Sequence, residues 1–228
     1  MKKKLLASLL VSSAVVGASL APLSAQAVTT GNTPVQVEFG GGKLPDGDSS
    51  GSNTKDPDPN TLNADFDLLY IPEMISFQKK MISDDLSAIY SASEARYGVG
   101  DLRGTKEGWH ITATIPEMVN GEEALTGTFS FTQSGYVLTY NEVTNKFSVG
   151  GGDTFTNNPA APDFLATSSI TIGGGAALVG NAVSGKGQGM WSSFMDNKYL
   201  NITTPYQQLK AGTYTGNITW NLVAGPSI

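Results

Sequence analysis

Few side chains in this sequence are of types that do chemistry. His110 is the single histidine and cysteine is absent, which removes a cysteine nucleophile and leaves one base for any Ser-His-Asp arrangement. His110 stands between Trp109 and Ile111, on the polar side of an alternating run, and reads as a solvent-facing residue rather than a catalytic one. Zinc sites take three or four Cys, His or carboxylate ligands. One histidine without His-x-x-x-His spacing offers no such set, and no metal or other cofactor is expected. Glu117, Glu122, Glu123, Asp84 and Asp85 are the carboxylates from which a glycoside-cleaving pair would have to come. Glu122-Glu123 follows Asn120-Gly121, a turn signal, and reads as charged loop. Asp46, Asp48, Asp56 and Asp58 lack the Glu that closes an EF-hand loop, and prolines stiffen the second pair. The expectation is a protein that is not an enzyme.

The remaining candidates are aromatic residues and one ion pair. Trp109, Trp191 and Trp220 are either platforms for a sugar ring or a protein partner, or core residues, each able to bury about 150–250 Å². Ile111 shares a face with Trp109, and Tyr214 and Leu222 share one with Trp220. Such aliphatic neighbours favour the core reading for Trp109 and Trp220. Trp191 follows Lys186-Gly187-Gln188-Gly189-Met190, a Gly-rich stretch read as a flexible loop, where it could be exposed. Asp101 and Arg103, in a Gly-bounded loop before Trp109, either fix that loop as a buried pair or face a ligand.

The elements that must position these residues are strands. Residues 61–228 carry Thr, Val, Ile and aromatics in short runs cut by Gly-, Asn- and Asp-containing turns. Nine runs qualify: 75–78, 87–90, 110–115, 126–132, 136–140, 166–172, 176–179, 199–202 and 212–223. Only 82–97 has a helical spacing, and its Ser, Asp and β-branched residues favour an extended or irregular course. Gly173-Gly174-Gly175 lacks the Lys-Ser/Thr ending of a phosphate loop and reads as a strand connection. The fold class expected is all-β, an antiparallel β-sandwich, Ig-like or related. Within 28–60, the stretch Gly40 to Asn60 holds almost nothing to bury and reads as a flexible acidic linker. Before it, Pro34 to Phe39 alternates like one strand able to pair with the main domain.

Residues 1–27 read as a secretory signal: Lys2, Lys3 and Lys4, an apolar stretch from Leu5 to Leu20, and Ala25-Gln26-Ala27 as the cleavage site. Loss of those three lysines moves the formal charge from −6 to −9. That balance argues against nucleic acid or an anionic membrane as partner, because phosphate binding needs clustered Lys and Arg. Every later apolar run is interrupted well before the roughly 18 residues of a bilayer span, so no membrane insertion is expected. The stretch Asn221 to Ile228 shows no hydrophobic tail or sorting signal. Retention at a surface is therefore expected to rest on binding.

The segment Tyr214-Thr215-Gly216-Asn217-Ile218-Thr219-Trp220-Asn221-Leu222-Val223-Ala224-Gly225-Pro226 has the form Tyr, then Ile-Thr-Trp-x-Leu, then Pro. It resembles the second signature of the WxL-domain family of Gram-positive cell-surface proteins. Trp109-His110-Ile111 is similar to the first, with Ile in place of Leu, a volume-conserving swap. Val99 to Gly104 and Ile75-Ser76-Phe77 also look like the family, as does the order of signal, acidic linker and terminal domain. The resemblance implies a short member, exported, at the cell wall and partly secreted. It further implies noncovalent binding to peptidoglycan or another wall polymer, and association with a membrane-anchored partner and other WxL proteins. The retaining surface expected on this basis involves Trp109, Ile111, Trp220 and Leu222. The alternative is a secreted adhesin for host or environmental glycan or protein.

Overall fold

The structure is a computed structural model and describes residues 32–151 and 155–227. The signal sequence expected at 1–27 lies outside them. The chain divides into two units, 1–38 and 39–228. In the first, residues 32–38 are exposed and form no strand.

The second unit is built from β-strands: β1 (Asp48–Ser49), β2 (Thr54–Lys55), β3 (Phe66–Pro72), β4 (Ile89–Ser91), β5 (Arg96–Asp101), β6 (Trp109–Thr114), β7 (Val119–Asn120), β8 (Glu123–Ala124), β9 (Gly127–Asn141), β10 (Lys146–Val149), β11 (Asp163–Phe164), β12 (Thr167–Thr171), β13 (Ala177–Ala182), β14 (Gly189–Ile202) and β15 (Thr219–Ala224). One large sheet runs β1-β10-β9-β14-β5-β3-β2, with β12 on β9 and β4 on β14; a second runs β11-β13-β6-β15. All pairs are antiparallel except β1 with β10. The all-β sandwich expected from the sequence is what forms.

Alternation explains why the two sheets face one another. Trp109, Ile111 and Ala113 of β6 are buried while His110, Thr112 and Thr114 are half-buried. In β9, Phe129, Phe131 and Gln133 point inward, and in β12 Ser168 and Ile170 do so. With period 2, one register therefore sends every apolar residue to the shared core. Each fully buried Phe, Ile or Leu contributes roughly 1.5–3 kcal/mol of hydrophobic stabilisation.

From Leu44 onward the stretch read as a linker lies against the large sheet. Leu44 is 1 % exposed and joins Leu69, Tyr70, Leu138 and Phe147 in a second cluster on the far side of the large sheet. Gly42 N–H donates to Leu102 O, Leu44 N–H to Ala64 O and Ser50 N–H to Phe147 O. The stretch is docked by one apolar anchor and backbone hydrogen bonds, a pattern that low hydrophobicity does not forbid. The sheet offers a seat because β5 has glycine there: a Cβ on Gly100 would meet Leu44 Cδ2 at 2.4 Å. Pro34 to Phe39, expected as a strand, forms none.

Besides the two-residue strands, β3, β5, β10 and the first half of β14 lie outside the nine expected runs. β5 reads Arg-Tyr-Gly-Val-Gly-Asp and is buried along its whole length. β3 and the first half of β14 complete the centre of the large sheet. Conversely, 75–78 forms no strand, although Ile75 and Phe77 pack against the core and Phe77 meets Phe129 edge-on at 5.6 Å.

Candidate functional site

The three tryptophans lie along one seam between the sheets. Trp109 of β6 is 0 % exposed and Trp191 of β14 is 3 % exposed. Both indole N–H groups donate to the same acceptor, Gly187 O, at 3.0 Å from Trp109 and 2.9 Å from Trp191. One residue from each sheet is thus tied to a single carbonyl, whose two lone pairs are both used. Gly187 sits at φ +79°, and a Cβ there would come within 2.5 Å of Trp109 Nε1, so only glycine fits. The sequence expectation that Trp191 lies in a flexible loop is corrected. Gly189 onward is a central strand, and the Gly-rich turn before it is shaped to place a carbonyl rather than to move.

Trp220 differs from the other two. It is half-buried at the edge of the small sheet and packs across the seam on Tyr97, with ring centroids 4.9 Å apart. Tyr214, Ile218 and Leu222 are half-buried on the same side, while Thr215, Asn217, Thr219 and Asn221 are exposed. The alternation read from 212–222 therefore holds in space, though the hydrogen-bonded strand covers only Thr219–Ala224. β15 pairs with β6 so that Leu222 stands opposite Ile111 and Trp220 opposite Ala113. The two signature segments are adjacent strands of one sheet. Ile111 is fully buried, so of the four residues expected at a retaining surface only Trp220 and Leu222 retain accessible area.

Asp101 and Arg103 hold the loop that leads into β6. Arg103 Nε donates to Asp101 Oδ1 at 3.0 Å and Nη2 to Oδ2 at 2.8 Å, a bidentate pair. Nη2 also donates to Gly108 O at 3.0 Å, and the guanidinium lies 3.8 Å from the Phe66 ring centroid. The hydrogen bond that Arg103 donates to Asp101 pushes the Arg103 pKa further up. With Asp101 buried and Arg103 turned onto it, this geometry fixes the loop. His110 Nδ1 lies 2.9 Å from Gly225 O, and since a carbonyl only accepts, Nδ1 carries the proton. The histidine thereby anchors the chain just beyond β15. Glu122 and Glu123 are exposed in the hairpin of β7 and β8.

A residue that the sequence did not flag sits at the centre. Gln133 of β9 is buried, and its Oε1 accepts from Tyr97 Oη at 2.8 Å and Ser193 Oγ at 2.7 Å. Its Nε2 lies within 3.0 Å of Leu165 O, Ser168 Oγ and Val179 O. Val179 belongs to the small sheet, so this amide joins the layers as Gly187 does. Burial drives the Tyr97 pKa strongly upward. Arg96 is likewise buried, 4.1 Å over the Phe194 ring, and desolvation lowers its pKa. Nothing in a local sequence window marks a lone Gln as buried, because the signal is the set of partners that only folding assembles.

Among the described residues no group of three or more His, Cys, Asp or Glu is placed to hold a metal ion, and no helix is long and apolar enough to cross a membrane. The chain forms a two-layer β-domain whose aromatic residues and Gln133 tie its sheets together. The family model described as "WxL domain surface cell wall-binding" matches residues 26–226, and the chain belongs to that family. It is accordingly a cell-wall-binding surface protein, of a family that is non-catalytic in kind. Searches of curated proteins and of solved structures find no match to it.

Proposed function

We propose that this chain is an exported, non-enzymatic attachment module of a Gram-positive surface. It binds peptidoglycan noncovalently and works in a surface complex with other WxL proteins and a membrane-anchored partner. The observation that carries this reading is the match of the wall-binding family model to residues 26–226. The geometry supports one region of the surface for retention. Trp109 and Ile111 act from inside by fixing β6, and β15 presents Trp220 and Leu222 at the rim. A shallow depression lined by Pro116, Glu117, Val119, Thr215 and Asn217 lies beside the start of that strand.

The test is co-sedimentation of the purified exported chain with isolated Gram-positive walls, and then with peptidoglycan stripped of its covalently attached polymers. The chain is expected to pellet with both and to be released by denaturant, as a noncovalent ligand must be. A chain that remains in the supernatant with peptidoglycan yet pellets with host matrix proteins would replace this reading with the adhesin one.

A further inference from the structure

β15 is an unprotected edge. It pairs with β6 on one side, and among the described residues no strand lies on the other. Edge strands are commonly shortened, charged, bulged or interrupted by proline to prevent pairing with another chain. The other edges comply: β1, β2 and β11 have two residues each and β4 has three, while β3, covered by β2 only at Ile71 and Pro72, carries Asp67, a register shift between Leu68 and Tyr70 and a proline. β12 has five, but its inward residues Ser168 and Ile170 are already buried. β15 has six residues, Thr-Trp-Asn-Leu-Val-Ala, with no charge, no proline and regular pairing, and leaves Trp220 and Leu222 half-covered.

The same chain carries a segment with the complementary defect. Pro34-Val35-Gln36-Val37-Glu38-Phe39 has apolar residues at alternate positions, and Val35, Val37 and Phe39 are 94, 72 and 86 % exposed with no strand partner among the described residues. Three large apolar side chains on one face of an extended hexapeptide are an interaction surface in want of cover. From these two observations we infer that residues 34–39 of one copy add as an antiparallel strand to the β15 edge of a second copy.

The pattern selects direction and register. Placing Gln36 opposite Asn221 and running the strands antiparallel puts Val35 beside Leu222, Val37 beside Trp220 and Phe39 beside Ile218. Each apolar donor residue then meets a half-buried apolar acceptor. A parallel arrangement in the same register would set Phe39 beside Ala224, which is exposed. The added strand lies about 4.8 Å from β15 and gains main-chain hydrogen bonds along its length. Because donor and acceptor are different surfaces, the contact is heterologous: every copy that gives a strand still has an edge free, so the association is open-ended. This assembly uses the Trp220 and Leu222 rim that the proposed function assigns to wall retention, so the two contacts compete for one edge, and self-association is measured without any wall present.

The absence of cysteine makes the contact directly testable in the full exported chain. Gln36→Cys and Asn221→Cys proteins, mixed under mild oxidation, are expected to give a disulfide-linked heterodimer on a non-reducing gel. Gln36→Cys mixed with Asn201→Cys, which lies in the other sheet, is expected to give none. In sedimentation velocity the unmodified chain should gain mass with concentration. Val37→Asp, outside the packed unit and so without effect on its melting, should weaken that association at least tenfold. An unmodified chain that stays monomeric would overturn the inference. So would Val37→Asp associating as the parent does, or a Gln36–Asn221 cross-link that forms only within a molecule carrying both cysteines.

Discussion

Replacing Trp109 with alanine separates the two roles that the signature tryptophans can have. Trp109 is fully buried, and removal of a buried Trp costs about 3–5 kcal/mol through lost transfer energy and the cavity left behind. The lost hydrogen bond adds little, because Gly187 O keeps the Trp191 indole at 2.9 Å and is not left orphaned. For Trp220, half-buried, about 100 Å² of lost contact at about 25 cal/mol per Å² gives about 2.5 kcal/mol, within which the Tyr97 ring contact falls. In urea, with a slope of about 2–3 kcal/mol per M, the midpoint should fall by about 1–2.5 M for Trp109→Ala and by about 1 M for Trp220→Ala, with the Trp109 shift the larger at any one slope. Circular dichroism of the purified chain during urea titration measures both. Out of a total stability of about 5–15 kcal/mol, the first loss brings the domain near unfolding and the second leaves it folded. Wall co-sedimentation of Trp220→Ala under folding conditions therefore reports contact, whereas loss of binding by Trp109→Ala reports unfolding. Equal midpoint shifts for the two variants, or a shift below about 0.5 M for Trp109→Ala, would refute the assignment of Trp109 to the core and Trp220 to the rim.

Gly187→Ala should destabilise by about 2–5 kcal/mol, since it combines a left-handed backbone at φ +79° with a Cβ 2.4 Å from that of Ala182; a melting curve within 1 °C of the parent would contradict this. Gln133→Leu should cost about 3–5 kcal/mol by leaving Ser193 Oγ and Leu165 O short of partners, while Tyr97 Oη keeps Val179 O at 3.2 Å, and a loss under 1 kcal/mol in thermal denaturation would show the network to be dispensable. Burial pushes the Tyr70 pKa from 10.0 up to about 12. The unfolded chain therefore ionises first, and the stability is fully present below pH 10 and lost between pH 10 and 12. The loss is at most about 2.7 kcal/mol for Tyr70, with Tyr97 acting in the same direction. Tyr70→Phe should flatten the dependence of the urea midpoint on pH in that window, and an unchanged slope would assign the alkaline loss elsewhere.

What the residues alone determined follows from alternation. The period-2 pattern at 109–115 and 214–222 assigned each residue to a face, and the structure keeps those assignments even where, before Thr219, no hydrogen-bonded strand forms. The all-β class was legible for the same local reason, and the Asn120-Gly121 turn signal marked Glu122-Glu123 as a charged loop, which in the structure belongs to the β7–β8 hairpin. Tertiary structure decided what local windows cannot hold. β5, with its two glycines, and the Ser192-Ser193 stretch of β14 look like loop in isolation, yet they lie at the centre of the large sheet. There Gly100 admits Leu44, Gly98 admits the Tyr70 ring, and the serines bond Tyr70 and Gln133. Trp191 reads as part of a loop because its neighbours are glycines, but Gly187 serves as the shared acceptor of two indoles from different sheets. The acidic stretch after Gly40 has too little to bury to fold by itself, and it docks because β5 and β10 are already in place to receive Leu44 and the backbone of Ser50. A residue's pattern fixes which way it points along a strand, whereas whether that side is core, rim or open edge depends on which other strands arrive to cover it.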